Sequence, residues 1–194
     1  MKNNVVVIAL LIVQAGCASS IEPVSAPSTE PISAPSPYAG EQARTIKALS
    51  ADEITRYLSG EGMGLAMAAE LNHYPGPRHV LDFADDLQLQ DAQRTQVEQA
   101  FVEMNADAVR LGEEIVEHEA ALDGRFSDGN VETESVRDAL RAIGALQAEL
   151  RFVHLNAHLA TRSVLTDAQV AHYDRLRGYA DNGGAEHDHS GMQH

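Results

Sequence analysis

The stretch VEQAFVEMNADAVRLGEEIVEHEAAL, residues 97–122, decides the fold. Val97, Phe101, Met104, Ala108, Leu111, Ile115, His118 and Leu122 stand 4, 3, 4, 3, 4, 3 and 4 residues apart. Alternating steps of four and three keep one apolar stripe on one helix face, which predicts a long helix packed along another. The polar turn SDGN, residues 127–130, ends it. A second helical stretch follows, with Val136, Leu140, Ile143, Leu150, Ala157 and Val164 on its seam and Leu146 and Val153 widening the stripe. Two long helices joined by a tight turn predict an all-α fold built on an antiparallel helical hairpin with shorter flanking helices. Each stripe is wider than one partner helix needs, so the hairpins are expected to pair into a homodimer. No alternating strand pattern occurs, which excludes a sheet.

Just beyond the second helix stands LTDAQ, residues 165–169. The Thr166 hydroxyl can accept from the backbone N–H of Gln169, and the Gln169 side chain can reach back to the N–H of Thr166. This is a capping box, with Leu165 and Val170 as its hydrophobic staple. It ends the long helix near Ser163 and opens a last helix running to about Tyr179. LQDAQ, residues 89–93, repeats four of the five positions, Leu89 and Gln93 included, before the first long helix. Glutamine is a weak cap, so Asp91 is the expected cap there. Upstream, SADEITRYLSGEGMGLAMAAELN, residues 50–72, reads as one or two helices interrupted by Gly60, Gly62 and Gly64. HYPGPR, residues 73–78, is a break, and Pro77 suits the first turn of a short helix over RHVLDFADDL.

The ends of the chain carry a different signal. Lys2, the short apolar run VVVIALLIV at 5–13 and QAGC at 14–17 read as an export signal ending at the single cysteine, Cys17, as a lipidation site. An ordinary secretory signal with an incidental cysteine is the alternative. Residues 18–40 read as a disordered tether: EPVSAPS recurs eight residues later with Ile32 in place of Val24, and five of the seven prolines lie here. Such a tether reaches about 70 Å at ~3.1 Å per residue. Residues 41–180 are the helical domain, and 181–194 a flexible His-rich tail. This organisation predicts a periplasmic protein anchored to a membrane by lipid, with Ala18 favouring the outer membrane. The formal net charge is −15, with two lysines. That balance excludes a nucleic-acid partner and suits cations.

Two LTxxQ-like segments bracketing a long helical pair behind an export signal resemble the Spy/CpxP family of bacterial periplasmic proteins. The resemblance covers roughly residues 77–180. It implies an all-α protomer, a cradle-like dimer and no catalysis. It also implies one of two roles: binding unfolded client proteins as an envelope-stress chaperone, or sensing and buffering heavy metals with a possible signalling partner. The histidines point to the metal-associated branches, whose ligands lie near the end of the helix that here carries His154.

His154 and His158 lie one turn apart, so both imidazoles can converge on one ion. The metal expected is a borderline divalent one, Cu²⁺, Zn²⁺, Ni²⁺ or Co²⁺. Simple pairing about the turn sets Glu103 opposite His154, and His73 and His79 flank the break and can fold back to complete the shell. Weaker candidates are His118, on the apolar seam, and His187, His189 and His194 in the tail. Met63 and Met67, four apart, are compatible with thioether ligation, although helical methionine usually fills core. There is no nucleophile elbow, phosphate loop or HExxH, so an enzyme is not expected.

Overall fold

The computed structural model describes residues 35–129 and 131–180, and the chain divides after Pro37. Cys17, most of the tether, and the tail with His187, His189 and His194 lie outside the described residues. Within them the protein is helical, with no strand and a single isolated bridge between Ile46 and Leu49. Helices run in the order α1 (Ala51–Leu58), α2 (Met67–Glu70), α3 (Pro77–Asp82), α4 (Asp91–Ser127), α5 (Thr133–Val164) and α6 (Asp167–Arg177).

The long pair α4 and α5 forms the frame. At one end Gln93 of α4 donates to the carbonyl of Val164; at the other Arg125 donates to the carbonyl of Ser135. Between them Ala108, Leu111, Ile115 and Leu150 are buried together, with Leu146, Val153, Tyr57 and Leu65 against them. The predicted seam departs from this at two places. His118 is exposed, its imidazole left in water where no partner would compensate burial. On α5, Ala139 is buried and Leu140 is 54 % exposed. A straight helix turns ~100° per residue, so the fourth residue before Ile143 lies nearer its face than the third.

The N-terminal segment returns along α4. Lys47 bonds Asp123 through its backbone N–H (3.1 Å) and its ammonium (3.2 Å). The hydroxyl of Ser50 accepts from Glu53 N–H, which starts α1, and the Glu53 carboxylate accepts from the Ser50 hydroxyl and then from Ser50 N–H, which lowers the Glu53 pKa. The C-terminal turn of α1 then lies directly on Gly112 of α4. A Cβ at Gly112 would stand 2.2 Å from the carbonyl oxygen of Tyr57.

The second core closes the other end. Val80, Leu87, Val97, Leu165, Val170 and Tyr173 are buried together, and Phe83 meets the Tyr173 ring edge-on at 6.3 Å. Pro77 sits in the first turn of α3. Gln90, not Asp91, occupies the cap position of α4; the Gln93 side chain accepts from Gln90 N–H, and that returning bond serves where a short cap side chain was expected. Thr166 caps α6 as the capping box requires. The two motif glutamines also bond each other: each side-chain amide donates to the other's oxygen, at 2.9 and 3.1 Å. Gln169 further donates to the carbonyl of Leu87. The repeated motif is therefore one joint, built from both copies.

Candidate functional site

A cleft of about 770 Å³ opens where the loops around α2 lie over α4 and α5, and His154, His158 and His79 line it. His154 is buried (4 % exposed), and its Nε2 has no hydrogen-bond partner. Burial, and then the neighbouring His158, hold its pKa below the ordinary imidazole range. The ring is thus neutral at neutral pH and keeps one nitrogen lone pair. The loop passes close above it: a Cβ at Gly62 would stand 3.8 Å from the ring.

His158, one turn further along α5, donates from Nδ1 to the carbonyl of Tyr74 at 2.7 Å. That bond fixes the tautomer and leaves Nε2 as the acceptor. Gly76 lies beside that nitrogen, where a Cβ would come within 2.9 Å of Nε2 and Cε1. Pro75 and Pro77 set the path of the segment, and glycine between them keeps the space at Nε2 free.

Glu70 holds this wall in place. Its carboxylate accepts from the Tyr173 hydroxyl at 2.5 Å and from Gly76 N–H at 3.1 Å. Arg177 Nε stands 3.4 Å away, an ion pair without hydrogen-bond geometry. His158 Nδ1 lies 3.7 Å off. Burial, then the Glu70 bond, push the Tyr173 phenol up, so it stays a donor. The arginine also rests 6.0 and 5.5 Å from the ring centres of Tyr173 and Tyr179.

Of the other expected histidine and glutamate ligands among the described residues, only His79 lines the cleft. His73, at φ 67°, pairs through Nδ1 with Asp174 at 2.8 Å, pinning the break onto α6. His79 lines the cleft mouth, 3.5 Å from Asp82. Glu103 is exposed and accepts from Gln99. Its neighbour Met104 takes the inward position, because the stripe through Val97, Phe101, Met104 and Ala108 sets residue 103 one helical step aside. Among the described residues, no group of three or more His, Cys, Asp or Glu side chains is placed to hold a metal. Sequence reasoning did not single out Glu70, Gly76 or Arg177. Only the Pro-Gly-Pro run carried a local signal for one of them. No family model, curated protein or solved structure matches this chain.

Proposed function

We propose that this is a transition-metal-binding protein of the Spy/CpxP type, held on the periplasmic side of an envelope by lipid at Cys17, where it senses or buffers the metal. The observation that supports this reading best is the pair of imidazoles on one face of α5: His154, whose buried Nε2 has no partner, and His158, whose Nε2 its Tyr74 bond leaves free. The second nitrogen faces space that any side chain at position 76 would fill. Unpaired buried polar atoms are costly, and a metal would satisfy this one.

The test is calorimetry on the chain carrying His187→Ala, His189→Ala and His194→Ala, which removes tail binding. His154→Ala and His158→Ala should each weaken metal binding by on the order of tenfold or more. Affinity should fall on acidification, because protonated imidazole cannot ligate, and His154, whose pKa burial holds below the ordinary imidazole range, should remain a competent ligand below that range. Binding unchanged in both variants would sink the site. The anchor is checked separately: Cys17→Ala should move the protein from the membrane fraction to the soluble one, and a wild type already soluble would refute lipidation.

A second reading, a chaperone or interaction module formed by paired hairpins, has its own support. Phe152 and Leu159, seven residues apart on the back of α5, are 56 % and 54 % exposed. Exposed apolar faces of this kind mark contact surfaces. Suppression of client aggregation by the metal-free chain, with no metal bound, would favour it.

A further inference from the structure

We infer that the cleft selects a soft monovalent ion, Cu⁺, through Met63, Met67 and Met104 together with His154 and His158. This rests on the metal-binding reading above and specifies its metal. All five side chains line the same cleft. Thioether sulfur with neutral imidazole is the donor set of Cu⁺, whereas Zn²⁺, Ni²⁺ and Co²⁺ favour imidazole with carboxylate, thiolate or water. The carboxylates of the lining are paired within the protein, Glu70 with Tyr173 and Gly76, Glu61 with Arg56 and Asp82 with His79, and Glu103, bonded to Gln99, lies outside the cleft.

The backbone is shaped to present the sulfurs. Met63 adopts φ 42°, a conformation non-glycine residues rarely hold, between two glycines. Strain of this kind persists where the surroundings enforce it and clusters at ligand sites. Gly62 allows the loop to pass over the His154 ring, and Gly64, at φ 78°, turns the chain beneath the Met67 methyl, 3.6 Å from where a Cβ would stand. Met67 is 58 % exposed at the start of α2, where a methionine serving only as core filler would be covered. Met104 comes from the opposite wall, on α4. Three thioethers from two walls thus accompany a buried nitrogen that lacks a partner.

The experiment uses the full chain with the three tail histidines replaced by alanine. Cu⁺ is delivered anaerobically from a bicinchoninate complex under ascorbate, and Zn²⁺ and Ni²⁺ are titrated in parallel. Copper K-edge absorption should show sulfur neighbours. Met63→Leu, Met67→Leu and Met104→Leu conserve volume and should keep the helical circular dichroism. Each should weaken Cu⁺ binding by on the order of tenfold, and leave Zn²⁺ binding unchanged. Copper bound only by nitrogen or oxygen, or held as tightly after all three leucine substitutions, overturns the inference. Zn²⁺ or Ni²⁺ bound at His154 without Cu⁺ also overturns it and leaves the metal reading standing. No binding of any of the three ions removes both.

Discussion

Gly112→Ala is expected to destabilise the fold by about 3 kcal/mol, with a fall in Tm on the order of 10 °C. In a helix interior this exchange ordinarily helps, because alanine is the better helix former by about 1 kcal/mol. Here the sign reverses. The new Cβ would lie 2.2 Å from the Tyr57 carbonyl oxygen and 2.7 Å from its carbon, and both are backbone atoms that cannot rotate aside. The last turn of α1 must therefore lift off α4. Gly144→Ala, in the interior of α5 with nothing within 4 Å, is the control. It should stabilise by about 0.5–1 kcal/mol. Thermal or urea unfolding of the two variants reads both signs; a neutral Gly112→Ala would mean that α1 does not dock there.

Gln169→Ala should cost about 2–3 kcal/mol, since it removes several bonds at once and leaves partly buried groups unpaired. The Thr166 N–H loses its acceptor, the Leu87 carbonyl its donor, and Gln93 its partner. Gln169→Glu separates the two halves of this role. A carboxylate still accepts from Thr166 and from Gln93, but donates to neither the Leu87 carbonyl nor the Gln93 oxygen. The measurement is urea unfolding combined with amide exchange. Exchange should rise over residues 165–177 in both variants and stay low around Leu111 and Leu150. Equal stability of all three proteins would show that the paired amides contribute nothing.

The long pair was legible because Val97 through Ile115 repeats without a break, and a repeat is local information. The capping of α6 was legible for the same reason, since Thr166 and Gln169 are three residues apart. His154 and His158 share a helix face by spacing alone, and the cleft contains both. The rest of the site depends on where the chain returns. Glu70 has no local pattern, and its bond to Tyr173 spans 103 residues. Met104 read as an ordinary seam residue, and only the path of the GEGMG loop over α4 makes it a cleft wall. Counting outward from the turn sets Glu103 opposite His154, but it fixes distance along a helix and not the direction of the side chain.

The joint made by Gln93 and Gln169 also bears on the order of assembly. Near the turn, Arg125 meets Ser135 across 10 residues, whereas Gln93 meets Gln169 across 76 and His73 meets Asp174 across 101. Closing a loop of about 100 residues costs roughly 2 kcal/mol more than closing one of about 10, so contacts near the turn form first and the pair zips away from it. Zipping shortens the later closures, but α6 and the segment through the Pro-Gly-Pro run still arrive last. What arrives last is the wall of the cleft, held by polar bonds and by the core around Val80 and Tyr173. The end of the molecule that carries the cleft is thus the last to close, and its local opening is separable from the folding of the long pair.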